Sequence, residues 1–268
     1  MHFGSRDRHK HRHSFSIQFV ASSLLCAVLS LAPTQPGQAG ELDNARSDTT
    51  VLLQSSKQLR IGIVGDSMAG DLGDGMQKLL RDRDNLEVVK LAKPATGLMR
   101  DDVYNWQRAL KGFVHKTKLD VIAIMIGGND RQSIWMNGRR LSRGSKAWLA
   151  EYEHRVARFM KLLAAADAKV YWVGLPVVRS ERMSRDYRRL NQIFHAQSQK
   201  HGLTYVSTWE TFVDENGGYS SFGRDLNGVK RRLRKEDGMH FTNDGELRLA
   251  HAVARAIGRN LSEIKTAR

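Results

Sequence analysis

The stretch Leu59-Arg60-Ile61-Gly62-Ile63-Val64-Gly65-Asp66-Ser67-Met68 decides the fold. Its first six residues are a short, mostly apolar run of strand length, and Gly65 ends it. Beyond the glycine, Met68, Leu72, Met76 and Leu79 recur at helical spacing. A buried-type strand therefore turns into a helix at Gly65-Asp66-Ser67, which puts the Ser67 N–H at a helix N-terminus. Partial positive charge there favours an anion.

The pattern continues outward from that turn. Leu86 to Leu91 reads as a second strand. Val121 to Ile126 is almost wholly apolar, as expected of a parallel strand covered on both faces. Trp148, Tyr152, Val156, Phe159 and Leu163 mark a helix, and Val170 to Leu175 a strand stopped by Pro176. Tyr187, Leu190 and Phe194 mark another helix, and Leu203 to Val206 a last strand. Leu247, Ala250, Ala254, Ile257 and Leu261 line a closing helix, with Asn243 and Glu246 spaced like a capping box at its start. Strands alternating with helices predict an α/β fold with a doubly wound parallel sheet. Ligands of such sheets sit beyond the carboxyl ends of the strands, where Ser67 and Asn129 both fall. The stretches 131–146 and 214–236 are irregular, rich in Gly and Arg, and expected to be substrate-binding loops.

Residues 1–39 carry a different signal. Arg6, Arg8, Lys10 and Arg12 precede an apolar stretch from Phe15 to Ala32, and Gly37-Gln38-Ala39 supplies small residues for a peptidase. This is the layout of a cleaved secretory signal; an uncleaved membrane anchor is the alternative. Residues 40–58 read as a linker and 59–268 as the folded domain. The chain has one cysteine, Cys26, which cleavage would remove. A mature chain without thiols suits an oxidising compartment, so a periplasmic or secreted location is expected. The net charge is +15, and removing the leader's four basic residues and Asp7 leaves +12. So basic a protein is drawn to polyanions, or is simply kept soluble by its charge.

The chemistry is carried by residues far apart in the chain. A serine hydroxyl needs a base, and His240 is the candidate, with Asp237 three residues earlier to hold its tautomer. A developing oxyanion needs fixed donors, and the Ser67 N–H, the Gly97 N–H and the Asn129 side-chain amide are the three candidates. Asn129 lies in Gly127-Gly128-Asn129-Asp130, directly after the third strand. Arg100 and Arg131 are candidate substrate contacts, with Arg224 and Arg234 as further rim candidates. The histidines at 115, 154, 195, 201 and 251 lack such neighbours and read as structural or exposed. No paired His or Cys spacing calls for zinc, no Gly-x-x-x-x-Gly-Lys loop cradles nucleotide phosphates, and no cofactor is implied. The Gly-x-Ser-x-Gly elbow is absent, because Ala69 stands at its last position.

These blocks resemble the GDSL, or SGNH, hydrolase superfamily over about residues 59 to 259. Gly65-Asp66-Ser67 resembles its first block, with Met68 in place of leucine. Gly97 resembles the second block's glycine, without the usual asparagine before it. Gly127 to Asp130 resembles the third block, and Asp237 to His240 the last. The stretches ENGGYSSFG at 215–223 and DGMHFT at 237–242 are similar to an exported bacterial branch catalogued as a domain of unknown function. The resemblance implies a flavodoxin-like three-layer fold and a serine esterase working through an acyl-enzyme. The expected substrate is an acylated, above all acetylated, carbohydrate or cell-wall polymer. An O-acyltransferase with the same site and a non-catalytic polyanion-binding protein are the alternatives. No nucleic-acid partner is expected, and membrane contact only through an uncleaved leader.

Overall fold

Five parallel strands form the central sheet of the computed structural model, which describes residues 49–264. They are β1 (Leu59–Gly65), β2 (Leu86–Ala92), β3 (Val121–Met125), β6 (Lys169–Val173) and β7 (Thr204–Val206), in the order β2-β1-β3-β6-β7. This is the flavodoxin-like doubly wound order. The register pairs Ile61 with Val121 and Gly65 with Met125, so the ends of β1 and β3 lie side by side. Every residue of β3 is buried, which is why its sequence is one unbroken apolar run.

The helices that follow these strands cover the sheet. Helix α2 (Ser67–Leu79) packs against α7 (Asn243–Arg259), and α4 (Lys146–Ala164) packs against α3 (Trp106–Lys116) and α5 (Glu181–Lys200). Right-handed crossovers put α2 and the α3–α5 group on opposite faces, giving three layers. Buried Tyr152, Phe159, Trp172 and Phe194 fill the space between α4, α5 and the sheet. A four-residue helix, α6 (Trp209–Phe212), follows β7. Among the described residues no helix is long and apolar enough to cross a membrane.

The structure differs from the sequence reading at several points. Residues 49–53, placed in the linker, are helical (α1), and Leu52 is fully buried. Asn85 also donates to the carbonyls of Ser55 and Lys57, so this segment is fastened to the domain. Residues 1–39, read as a leader, and 40–48 lie outside the described residues. Helix α3 was not expected; only Trp106 and Leu110 of it are buried, too thin a stripe to stand out. The stretch 131–146 holds a hairpin of β4 (Ile134–Met136) and β5 (Arg139–Leu141), and 214–236 holds one of β8 (Phe222–Arg224) and β9 (Lys230–Arg232). The cap of α7 is Thr242, whose hydroxyl accepts from the Gly245 N–H, rather than Asn243.

Candidate active site

The end of β1 is shaped by a glycine with no substitute. Gly65 has φ +145°, and a Cβ there would lie 1.9 Å from the Met125 carbonyl oxygen. The chain can therefore turn straight from strand to helix while touching β3. Asp66 caps α2: one carboxylate oxygen accepts from Met68 N–H at 3.0 Å. The other accepts from the N–H groups of Gly127 and Gly128 at 3.1 and 3.0 Å. One buried carboxylate thus sews the serine turn to the Gly-Gly-Asn-Asp turn. Burial pushes Asp66 up to about 7, against the pull of those three donors.

Ser67 is the first residue of α2, and across 173 positions it meets the far end of the chain. The Ser67 hydroxyl lies 2.8 Å from His240 Nε2. His240 Nδ1 lies 2.6 Å from Asp237 Oδ2. A carboxylate only accepts, so Nδ1 carries the proton and Nε2 is free to accept from the serine. The other Asp237 oxygen accepts from the N–H groups of Met239 and His240 at 2.8 and 2.9 Å. Partial burial opposes ionisation of Asp237, but the hydrogen bond from His240 and these two backbone donors outweigh it and hold the group down to about 2. It therefore stays charged beside the imidazole.

The turn carrying Asp237 and His240 is fixed on several sides. Lys235 N–H donates to the His240 carbonyl at 2.8 Å, and Arg179 N–H to the Gly238 carbonyl at 3.0 Å. Asp71, one helical turn beyond Ser67 and 7% exposed, accepts from Phe241 N–H at 3.2 Å and pairs with Lys235 Nζ at 3.3 Å. Tyr187 donates to the Gly128 carbonyl at 2.9 Å, between the third block and Met239.

The oxyanion donors were expected at Ser67, Gly97 and Asn129. Among the described residues no protein group accepts from the Ser67 or Gly97 N–H. Asn129 Nδ2 gives one hydrogen to the Thr96 carbonyl at 2.9 Å, which fixes the amide and leaves its second hydrogen unspent. Glycine at 97 is set by close packing. A Cβ there would lie 2.1 Å from Asp130 Oδ1, so the constraint comes from the protein behind the turn rather than from a ligand in front. Asp130, fully buried, accepts from Leu98 N–H at 2.8 Å, Met99 N–H at 3.0 Å and the Tyr152 hydroxyl at 3.0 Å. Arg155 donates to the Leu98 and Met99 carbonyls at 3.2 and 3.1 Å. The Gly97 turn is gripped by its donors and its acceptors alike, the preorganisation an oxyanion site needs.

The nominated arginines fare differently. Arg234 is not on the rim: it is fully buried, its guanidinium 4.2 Å from the Phe241 ring centroid and donating to the Val177 carbonyl. Burial lowers it to about 10, and an aromatic face stands where solvent was expected. Arg131 is committed to Asp186 at 2.9 Å, and Arg100 makes a two-pronged pair with Asp102 at 2.8 and 2.7 Å. Arg224 is exposed and donates to the Gly228 carbonyl at 2.9 Å. Sequence reasoning did not assign roles to Asp66, Asp71 or Asp130. Asp66, directly before the helix, carried a cap signal, and Asp71 shares a helix face with Ser67 at i, i+4.

A five-strand parallel sheet with this serine turn and an Asp-x-x-His turn at its carboxyl edge defines the SGNH hydrolase fold. Solved structures with that fold are similar to this one. A GDSL-like lipase from Bacteroides thetaiotaomicron aligns with a TM-score of 0.52 at 15% identity, over 82% of this chain and 98% of its own. A catalytic mutant of Axe2, an acetylxylan esterase from Geobacillus stearothermophilus, aligns with a TM-score of 0.52 at 17% identity, over 76% of this chain and 96% of its own. A candidate SGNH hydrolase from Slackia heliotrinireducens aligns with a TM-score of 0.50 at 17% identity, over 75% of this chain and all of its own. By sequence, residues 60–256 match the family described as "Protein of unknown function (DUF459)", and the chain belongs to that family. No curated protein matches it.

Proposed function

We propose that the protein is an exported serine ester hydrolase that removes acyl groups, acetyl above all, from a carbohydrate or cell-wall polymer. The observation that carries this reading is the unbroken chain from the Ser67 hydroxyl through His240 to Asp237, at 2.8 and 2.6 Å. Ser67 Oγ attacks the ester carbonyl carbon while its proton passes to His240 Nε2. The tetrahedral oxyanion is held by the Ser67 and Gly97 N–H groups and the free Asn129 amide hydrogen. Collapse breaks the bond to the leaving alcohol, which takes the proton back from the imidazolium. Water then gives a proton to His240 Nε2 and attacks the acyl carbon; collapse breaks the bond to Ser67 Oγ, which takes the proton back from the imidazolium as the carboxylic acid leaves. Asp237 keeps its charge and stabilises the imidazolium in both halves.

The acetylxylan esterase among the similar structures supports the acetyl-carbohydrate reading. Export rests on the basic and apolar leader within residues 1–39. The test is turnover of p-nitrophenyl acetate by the wild type and by Ser67→Ala. The wild type is expected to hydrolyse it and the variant to be inactive at unchanged melting temperature. Equal turnover by a folded Ser67→Ala protein overturns the serine mechanism. Acyl transfer to an added glycan that outruns hydrolysis would make the protein a transferase instead.

A further inference from the structure

The arginines engaged above leave a different set open. Arg179, Arg185 and Arg188 are exposed and wall a hollow of about 370 Å³ together with Val177, Trp209 and Tyr219. One of its walls, Arg179, touches the turn that carries Asp237 and His240. Arg179 packs so closely on Gly238 that a Cβ there would lie 2.4 Å from Arg179 Cβ, and it donates to the Glu236 carbonyl at 2.6 Å. At the other end, the Arg188 guanidinium lies 4.7 Å from the Trp209 ring centroid. That pair also walls a second hollow of about 590 Å³, with Tyr205 and Glu210. The two hollows adjoin at Arg188 and Trp209, and the first neighbours the Asp237–His240 turn through Arg179.

The charge of the first hollow is one-sided. Its only carboxylate is Glu181, 3.7 Å from Arg185 and with 92% of its side chain exposed. Among the described residues neither Arg179 nor Arg188 has a carboxylate partner, and each lies over an aromatic ring, Arg179 at 6.0 Å from the Tyr219 centroid. A guanidinium binds a carboxylate through two parallel hydrogen bonds. Aromatic faces offer flat apolar area to the C–H faces of sugar rings while their polar edges stay wet.

We infer that these adjoining hollows are a subsite for an anionic sugar chain, a polyuronate in chemical class, whose acylated unit reaches Ser67. The inference deepens the proposed function and rests on it for the reacting unit, but the binding itself can be measured without turnover. The protein for the test is full-length Ser67→Ala, and the probes are polygalacturonate, neutral xylan and a single-stranded DNA oligonucleotide. Adding Arg185→Ala and Arg188→Ala is expected to weaken polygalacturonate binding about tenfold, the scale of a lost charge-assisted contact. Adding Arg81→Ala and Lys116→Ala instead removes the same charge at the opposite end of the sheet's helices, and is expected to change it less than about twofold. Equal loss in both pairs makes the effect one of net charge and overturns the subsite. Equal binding of xylan overturns the anionic class, tighter binding of DNA overturns the sugar, and no binding of polygalacturonate overturns the whole inference. A wild type inert toward p-nitrophenyl acetate would sink the esterase reading and leave these binding results readable.

Discussion

The carboxylate of Asp71, one turn along the helix that Ser67 begins, accepts the backbone N–H of Phe241, the residue after His240, at 3.2 Å. The helix that Ser67 begins therefore holds the loop of His240 directly, and one side chain ties the two halves of the candidate site together. Nothing in that carboxylate touches the reacting atoms, so its loss should act through geometry. A misplacement of about 1 Å costs on the order of 10²-fold in rate. Asp71→Ala is expected to lower kcat on p-nitrophenyl acetate about 10- to 100-fold with KM little changed. Asp71→Asn, which still accepts from Phe241 N–H, should recover most of it. Steady-state kinetics on the two variants, with melting temperatures alongside, check this.

Asp237 titrates at about 2, below the ordinary aspartate value of 3.8. A depressed carboxylate contributes stability that is fully present above the unfolded pKa and is lost as pH falls through the folded one. The window is therefore about pH 4 down to pH 2. Melting temperatures of wild type and Asp237→Asn should differ most above about pH 4 and converge toward about pH 2. Above that window the same variant should lose about 10⁴-fold in kcat, because an amide no longer fixes Nδ1–H. A gap in melting temperature that stays constant across the window would show that the carboxylate's charge contributes nothing.

Much of this fold could be read from the chain because parallel strands are buried on both faces. Ile61 to Val64 and Val121 to Ile126 are fully or almost fully enclosed, and continuous apolar runs are the result. Ser67 and Asn129 could be placed at the carboxyl edge because each follows a strand by a short turn, and His240 beside Asp237 because the two stand three residues apart. The hairpin at 134–141 carried a signal that the Arg-rich composition masked. Asn137 and Gly138 both have positive φ, 52° and 73°, the Asn-Gly pair of a two-residue hairpin turn. Arg234 was illegible in principle. Its burial depends on Phe212 and Phe241, one well before it in the chain and one after, closing around the guanidinium. The open arginines on α5 were missed because helix spacing alone says which residues face out, and not what hollow they face.

Asp66 cannot be replaced by its amide without penalty. Both oxygens accept from backbone N–H groups, one from Met68 and the other from Gly127 and Gly128. Whichever way the substituted amide turned, its NH₂ would meet a donor. A buried donor left unsatisfied costs about 1–3 kcal/mol. Asp66→Asn should lower stability by about that much in urea denaturation and reduce kcat as well, since the Ser67 turn and the Asn129 turn come apart together. Unchanged stability would mean that the carboxylate does not bridge the two turns.

Gly97 separates two explanations for a glycine at an oxyanion turn. If the residue only kept the approach of substrate open, alanine would obstruct binding and raise KM. The geometry argues otherwise, because the new methyl would meet Asp130 Oδ1 at 2.1 Å, behind the turn. The turn must then shift, and its N–H leaves the position it is held in by Asp130 and Arg155. Losing one oxyanion donor costs about 10²–10³-fold in kcat. Gly97→Ala should therefore lower kcat on that scale with a smaller change in KM, together with a fall in melting temperature from the disturbed Asp130 cluster. Asn129→Ala removes a donor without touching Asp130, so it should match the kcat loss while melting closer to the wild type. A Gly97→Ala protein that changed only KM would assign the glycine to substrate access and remove it from the oxyanion site.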